Sequence, residues 1–226
     1  MYIKTTNSTN TLLKELIAKG QEPKFLYAGY QTAGRGQTGN GWESEEGKNL
    51  LCSILLPPNK NLYFLNIAVG VALLRVIGED FTIKWPNDIY WGDKKVAGIL
   101  VENAIVGSEV KYSVAGIGLN VNQTEFKSDA PNPISLKQIR GEEYNIDQLM
   151  NKLFEEVQKV LSEPEQNVWL YYKTHLYRRE GYWPYEDKNG RFEATIEDVL
   201  PTGEIVLRDT KGQICQYEFK QIRYIL

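Results

Sequence analysis

Histidine and cysteine are scarce in this chain, which has one histidine and two cysteines among 226 residues. The single His175 excludes a histidine-rich zinc site and argues against a Cys/His nucleophile pair. Cys52 and Cys215 lie far apart in apolar-rich segments, so we expect both thiols to be buried and free. An enzyme with this set of residues would work by positioning and electrostatics rather than through a protein nucleophile.

Long apolar runs and an excess of basic residues are also absent. No stretch approaches the roughly 20 apolar residues that a membrane-spanning helix needs, and the N-terminal segment does not begin a signal peptide. The net charge of −3 and the pI of about 5.4 argue against a nucleic-acid-binding surface over the whole chain. With 42% hydrophobic and 24% charged residues, the composition predicts a soluble globular protein, which we expect in the cytoplasm.

The spacing of apolar residues predicts both helices and strands. Predicted helices start after Ser8-Thr9-Asn10 and cover residues 63–77, 145–164 and 165–177, and predicted strands cover 24–28 and 50–56. Short strands separated by turns indicate an antiparallel meander over 81–122 and a small β-barrel beyond residue 180. We therefore expect an α+β fold, with a largely antiparallel mixed sheet and flanking helices over residues 1–179 and the barrel over 180–226.

The segment Lys84-Trp85-Pro86-Asn87-Asp88, followed by Lys95, concentrates charge between two apolar runs. Two lysines, an amide and a carboxylate at the ends of predicted strands indicate a site for an anionic substrate. The alternative is an exposed hairpin with a solvated charged tip, and this segment alone does not decide between them.

A polar, glycine-rich run lies between Gln31 and Trp42, with four glycines in the eight positions 34–41. Glycines let backbone N–H groups approach a phosphate or carboxylate closely, and Arg35 adds a planar fork that suits such anions. The run matches neither the phosphate-binding loop of nucleotide hydrolases nor the dinucleotide-binding fingerprint. A plain flexible loop is the alternative.

Taken together, these segments resemble the biotin protein ligase family, from the start of the chain to about residue 122. The matching motifs are, in order, Ser8-Thr9-Asn10, Gln31, Gly34-Arg35-Gly36 with Trp42, Lys84-Trp85-Pro86-Asn87-Asp88, Lys95 with Gly98-Ile99-Leu100, and Gly118-Leu119-Asn120. Each motif is modest alone, but their order is hard to obtain by chance. The resemblance implies the fold of biotin and lipoate ligases, which is similar to class II synthetases, with a small SH3-like C-terminal domain.

The resemblance also implies a two-step, ATP-dependent reaction. Biotin and ATP would form biotinyl-5′-AMP and pyrophosphate with Mg²⁺, and the biotinyl group would pass to one lysine of a biotin carboxyl carrier protein. Because the biotin carboxylate is itself the nucleophile, no protein nucleophile is required, in agreement with the scarcity of histidine and cysteine. We expect no direct ligation of the metal by the protein, and either a monomer or a homodimer.

The resemblance assigns roles to individual residues. The residues expected to bind biotin are Ser8, Thr9, Asn10, Gln31, Gly34, Arg35, Gly36, Lys95 and Gly98. The residues expected to bind ATP are Gln37, Trp42, Lys84, Asn87, Lys95, Asn120 and Arg223. The expected catalytic residues are Lys95, Arg35, Asp88 and Lys84.

Three of these assignments have structural alternatives. Ser8-Thr9-Asn10 would serve equally as a helix N-cap, and a cap leaves a neighbouring hydroxyl free to face a pocket. Asp88, the candidate to orient the acceptor lysine or accept its proton, would alternatively cap its own turn. Trp42, which would stack on adenine, would alternatively anchor its loop.

The chain departs from the family pattern after Gly36. Many family members carry a second arginine there, whereas this chain has Gln37, followed by Thr38 and Asn40. Gln37 supplies hydrogen bonds but no charge. Either Lys84, Lys95 or Arg223 carries more of the phosphate neutralisation, or the intermediate is held less tightly.

Some relatives begin with a DNA-binding domain that makes them repressors. Here Ser8-Thr9-Asn10 lies almost at the N-terminus, which with the acidic pI predicts a ligase without repressor function.

Three other interpretations remain open. A lipoate or octanoate ligase would share the fold and the adenylation chemistry but does not usually carry the Lys84-to-Asp88 motif. A non-catalytic biotin or nucleotide binder has no use for cations such as Arg35 and Lys95 at a reacting centre. A class II tRNA synthetase fragment has no support from an anticodon-binding domain or a basic patch.

Overall fold

A computed structural model describes residues 1–37, 41–59, 61–107, 109–128 and 132–226. The helices are α1 (Thr9–Ala18), α2 (Leu62–Ile77), α3 (Leu136–Arg140), α4 (Ile146–Ser162) and α5 (Glu165–Thr174). The strands are β1 (Tyr2–Thr6), β2 (Phe25–Gln31), β3 (Leu50–Leu56), β4 (Thr82–Lys84), β5 (Asp88–Trp91), β6 (Lys94–Val106), β7 (Glu109–Leu119), β8 (Trp183–Asp187), β9 (Gly190–Val199), β10 (Ile205–Asp209), β11 (Ile214–Tyr217) and β12 (Arg223–Tyr224).

The first seven strands form one mixed sheet in the order β1-β2-β3-β7-β6-β5-β4. All neighbours are antiparallel except β1 and β2, which run parallel. The predicted mixed, largely antiparallel sheet is therefore confirmed, and the meander over 81–122 is present as β4 to β7. The edge strand β1 is not predicted from the sequence, because Tyr2–Thr6 is mostly exposed and has no alternating apolar pattern.

Helix α2 forms the centre of the core. Its sequence is apolar nearly all round, and its residues from Phe64 to Leu74 are buried except Asn66. It packs on the sheet, mainly through β6, and also against α4 and α5. The Asn61 side chain caps its start by accepting a hydrogen bond from the backbone N–H of Phe64 at 3.1 Å. Helices thus flank the sheet as predicted.

The last five strands form a second, antiparallel sheet in the order β11-β10-β9-β8-β12. The short strands predicted beyond residue 180 are confirmed and agree with an SH3-like arrangement, but the sheet does not close into a barrel. Its end strands are too short for closure, since β11 has four residues and β12 two. The Trp85 indole joins the two sheets by donating to the Gly203 carbonyl oxygen at 2.9 Å.

Smaller differences concern single residues. His175 follows the end of α5 instead of lying within a helix. Cys52 is buried and Cys215 is only partly buried; both are free thiols. Helix α3, whose start is closed by Ser135 and Gln138 in a capping box, is not predicted from the sequence. Within the described residues, no helix is long and apolar enough to cross a membrane.

Candidate ligand-binding cleft

A cleft of about 440 Å³ opens between the start of α1, the face of β5 to β7 and the segment that precedes β12. Its walls include most of the predicted site residues, namely Ser8, Thr9, Asn10, Gln31, Arg35, Gly36, Gln37, Trp42, Lys84, Asn87, Asp88, Lys95, Gly98 and Arg223. Gln31, Arg35, Lys95 and Gly98, which were expected to bind one ligand, line this one cavity. Their roles toward a ligand remain predictions.

Two predicted residues do not line the cleft. Gly34 lies just behind the wall, where its carbonyl oxygen accepts a hydrogen bond from the Trp42 N–H at 3.0 Å. Asn120 is buried, and its side-chain Nδ2 donates to the Ile134 carbonyl oxygen at 3.2 Å. The structure thus gives Asn120 a role in holding the segment before α3 and does not bring it to the predicted nucleotide site.

The floor of the cleft is a sheet surface with three glycines. Gly98 and Gly118 face each other across β6 and β7, and Gly116 lies two residues further along β7. A Cβ atom at Gly118 would overlap the Trp42 indole, and one at Gly116 would overlap the Asn10 side-chain amide. These glycines therefore let two larger side chains lie directly on the strands.

The wall at the start of α1 offers hydroxyl and amide groups. The Thr9 backbone N–H and hydroxyl both donate to Gln31 Oε1, at 2.7 and 3.1 Å. Because Oε1 is occupied, the Gln31 amide presents Nε2 as its donor to a ligand. Ser8 occupies the N-cap position of α1, as the structural alternative proposed, but its side chain makes no capping hydrogen bond. Its hydroxyl is thus not committed to the helix.

The opposite wall is formed by the segment from Lys84 to Asp88, which is not a solvated tip. Trp85 and Asn87 are buried, so the alternative of an exposed hairpin is wrong. Asn87 is bonded to Ile99 of β6 through both its side chain and its backbone. Its Nδ2 donates to the Ile99 carbonyl oxygen, and its backbone carbonyl oxygen accepts from the Ile99 N–H. These bonds fix Asp88 and Lys84 at the edge of the cleft.

The charge of the cleft is mainly positive. Among its described lining residues, the cations are Arg35, Lys84, Lys95, Lys220 and Arg223, and the one carboxylate is Asp88. Asp88 Oδ1 lies 2.7 Å from Lys95 Nζ, and it makes no hydrogen bond within its own turn among the residues described. Arg223 forms an ion pair with Glu186 on β8. This excess of cations suits an anionic ligand.

Lys84 is half-buried against two tyrosine rings. Its ammonium donates to the Tyr90 hydroxyl at 3.0 Å and lies 4.6 and 5.0 Å from the ring centres of Tyr90 and Tyr224. Burial, with the charges of Lys95 and Arg178, lowers the pKa of Lys84 to about 8, although Asp88 opposes the shift. A bound anion near Lys84 would favour its charged form.

Two polar atoms in the glycine-rich segment are buried without a hydrogen-bond partner in the described part of the chain. They are Trp42 Nε1 and Gln37 Oε1, a donor and an acceptor. The Trp42 indole lies over Gly98 and Gly118, with Lys95 Nζ 5.7 Å from its ring centre. Thr38, Gly39 and Asn40 lie outside the described residues.

Glu102 lies behind the cleft wall and is not among the predicted site residues. Its carboxylate binds Lys14, Asn10 and Arg35. Burial would raise the pKa of Glu102, but the hydrogen bonds from Lys14 and Asn10 and the charge of Arg35 hold that pKa below its ordinary value. Strand alternation could have found it, since Gly98 and Glu102 lie four residues apart on the same face of β6.

Phe219 and Lys220 were also missed. They precede β12 and line the cleft from the C-terminal sheet. Within the described residues, no three histidine, cysteine or acidic side chains lie close enough together to hold a metal ion.

The family model for the biotin/lipoate A/B protein ligase family matches residues 2–120. The chain is 35% identical over 155 residues to the bifunctional ligase/repressor BirA of Bacillus subtilis, an alignment that covers 63% of this chain and 47% of that protein. It therefore spans about half the length of the bifunctional relative. The biotin–[acetyl-CoA-carboxylase] ligase of Paracoccus denitrificans is 27% identical, with 92% of this chain and 93% of that protein covered.

A similar solved structure is the biotin protein ligase of Aquifex aeolicus in complex with biotin and ATP. The two share 24% sequence identity with a TM-score of 0.81, over 100% of this chain and 98% of that one. This likeness supports the fold, including the C-terminal sheet.

Proposed function

The chain belongs to the biotin/lipoate A/B protein ligase family, and we propose that it is an ATP-dependent biotin protein ligase that biotinylates a carboxyl carrier protein. The observation that carries the proposal is the two-ended cleft. One end presents the Ser8 hydroxyl and the Gln31 amide, and the other presents Lys84 and Lys95 beside Asp88. Biotin has a matching pair of ends, because its ureido ring has two donors and one acceptor while its chain ends in a carboxylate.

In the proposed first step, a biotin carboxylate oxygen attacks the α-phosphorus of ATP. The bond between that phosphorus and the oxygen that bridges to the β-phosphate breaks, and pyrophosphate leaves with the electron pair. The reactants are both anions, so the barrier contains their mutual repulsion. The ammonium groups of Lys95 and Lys84 lower this repulsion, and the guanidinium of Arg35 adds a third positive charge at the cleft wall. Catalysis by positioning and charge needs no protein nucleophile.

In the second step, the unprotonated amine of the carrier lysine attacks the acyl carbon, AMP leaves and the amine loses a proton as the amide forms. Asp88 is the carboxylate among the described lining residues that could orient this amine or accept its proton. Its contact with Lys95 keeps the two groups at the same point of the cleft.

We further propose that Mg²⁺ accompanies ATP. Magnesium keeps several waters and is usually bound through one or two carboxylates with substrate phosphates. The donor set fits an ion held mainly by the nucleotide, because Asp88 is the sole carboxylate among the described lining residues. When bound, the ion would neutralise phosphate charge. We propose that biotin and ATP bind mainly to residues 1–179. Residues 180–226 close one side of the cleft, which they reach through Arg223.

Pyrophosphate exchange into ATP tests the proposal against its rivals. We expect exchange in the presence of biotin and none with lipoate or octanoate, followed by transfer of labelled biotin to a biotin carboxyl carrier domain. Exchange only with lipoate or octanoate would identify the related ligase. Absence of exchange with all three acids, together with measurable biotin binding, would indicate a non-catalytic binder.

A further inference from the structure

We propose that Glu102 is a positioning residue for the biotin end of the cleft, where its carboxylate sets the orientation of Asn10 and Arg35. The inference rests on the proposed function and deepens it. Glu102 does not line the cleft itself, whereas both residues that it holds do. It would therefore act on the ligand only through them.

The contacts of Glu102 connect three parts of the chain. Its Oε1 lies 2.9 Å from Lys14 Nζ on α1, and its Oε2 lies 2.8 Å from Asn10 Nδ2 and 3.1 Å from Arg35 Nη2. The carboxylate thus belongs to β6, while its partners belong to α1 and to the glycine-rich segment. Its side chain is 24% exposed, so these bonds are partly shielded from water.

The Glu102 carboxylate fixes the orientation of the Asn10 side-chain amide. Its Nδ2 donates to Glu102 and to the Leu100 carbonyl oxygen at 3.2 Å, and its Oδ1 accepts from the buried Ser53 hydroxyl at 2.6 Å. Both amide hydrogens are therefore used, and the remaining lone pair of Oδ1 is what Asn10 can offer to a ligand. Rotation of the amide by 180° would turn Oδ1 toward the Glu102 carboxylate, which repels it. Glu102 thus makes Asn10 an acceptor, which suits a ligand N–H group.

Arg35 is oriented by the same carboxylate. Its Nη2 donates to Glu102 and, at 3.3 Å, to the Thr11 hydroxyl. These two bonds use the two hydrogens of Nη2 and leave Nε–H and the two Nη1 hydrogens for other partners. Because the guanidinium is planar, fixing one edge also fixes the direction of the other. Without Glu102, the exposed Arg35 side chain would have many more orientations to choose from.

The decisive variant is Glu102→Gln, which keeps the size of the side chain but removes its charge. We expect the biotin Kd from calorimetry and the biotin KM in pyrophosphate exchange to rise about tenfold, the size of one lost charge-assisted hydrogen bond. The ATP KM should change less than twofold, and kcat should fall less than the biotin affinity does, because Lys84 and Lys95 keep their places in the cleft. Glu102→Asp, which restores the charge, should recover part of the biotin affinity.

Two control variants separate positioning from structure. Glu163 is 25% exposed and pairs with Arg75 at 2.6 Å outside the cleft lining, so Glu163→Gln removes a similar ion pair. Lys14→Met removes, among the described side-chain partners of Glu102, the one that does not line the cleft. Both should leave the biotin KM within twofold of the wild-type value, whatever their effect on Tm.

The outcomes distinguish this inference from the proposed function. If the wild-type protein shows no biotin-dependent exchange, the proposed function fails. If exchange is normal but Glu102→Gln binds biotin as tightly as Glu163→Gln does, Glu102 has no positioning role and the inference is overturned. Should the glutamine variant fail to fold, Glu102→Asp still draws the carboxylate back from Asn10 and Arg35 by one methylene, so a biotin Kd equal to that of Glu163→Gln would overturn the inference.

Discussion

Asp88 and Lys95 are joined by a 2.7 Å ion pair at one end of a cleft whose other described charged lining groups are cations. The two residues come from neighbouring strands, since Asp88 pairs with Gly98 of β6 and Lys95 lies three residues before that glycine. The contact holds Lys95 in place without a ligand, and it brings a proton acceptor to the place where phosphate charge would be neutralised.

Asp88→Ala should separate the two proposed steps. We expect single-turnover transfer from preformed biotinyl-AMP to the carrier lysine to slow about 100-fold, the lower range for loss of a positioned proton acceptor. Adenylation should slow less, because Lys95 keeps its charge. Asp187→Ala, on β8 outside the cleft, is the control. A normal transfer rate would leave Asp88 with a structural role only.

The charged form of the half-buried Lys84 destabilises the folded chain, and the variant Lys84→Met should show this effect. Its folded-state pKa of about 8 lies below the ordinary 10.5, so between these values the unfolded chain binds more protons and stability rises with pH. The cost is fully present below pH 8. We expect Lys84→Met to raise Tm at pH 7 by at least about 3 °C, since 1 kcal/mol shifts Tm by roughly 2–4 °C at this chain length.

The pH dependence makes this prediction specific. The gain in Tm from Lys84→Met should shrink between pH 8 and 10.5, as the wild-type lysine loses its proton, while adenylation should be impaired throughout. Thermal unfolding at pH 7 and pH 10 measures both points. Lys152→Met, at an exposed position of α4, should show no such pattern. An equal or lower Tm for Lys84→Met at pH 7 would contradict the argument.

The sequence predicted the fold best where apolar spacing is strong. Helix α4 begins after Asn145 as expected, because that side chain caps it and Leu149, Leu153 and Val157 share its buried face. Strand β1 has no such signal, and its pairing with β2 depends on long-range contacts. Whether the C-terminal sheet closes depends on how many residues of β11 and β12 pair with their neighbours. The spacing of turns in the sequence predicts where strands lie but not the extent of this pairing.

At the candidate site, the motifs identified the groups that line the cleft better than the groups that support them. Asn120 belongs to a recognisable motif, yet it lies outside the cleft lining and its Nδ2 donates to the Ile134 carbonyl oxygen, a partner that the motif does not contain. Glu102 belongs to no motif that was considered, and its partner Arg35 is 67 residues away in the sequence. Strand alternation places Glu102 on the same face as Gly98, but its partners on α1 and in the glycine-rich segment follow only from the folded chain.

Gln37 leads to a prediction about retention of the intermediate. It lines the cleft at the position where the resemblance leads us to expect a second arginine, and its Oε1 is buried without a partner in the described residues. We expect Gln37→Arg to slow the release of biotinyl-AMP without acceptor by several-fold, because a guanidinium adds charge beside the phosphate. Gln213→Arg, which lies outside this cleft, is the control for added charge. Equal release from both variants would show that the other cations already suffice.

The packing of Trp42 on Gly98 and Gly118 leads to the last prediction. In Gly118→Ala, the new methyl group would overlap the indole, which must leave the floor and lose its contact with the strands. If Trp42 stacks on adenine from this position, the ATP KM should rise about tenfold or more, while biotin binding changes less. Gly70→Ala is the matched control, because a Cβ there meets its nearest described neighbours at ordinary distances of 3.7–4.0 Å. An ATP KM in Gly118→Ala equal to that of Gly70→Ala would show that Trp42 serves only to anchor its loop.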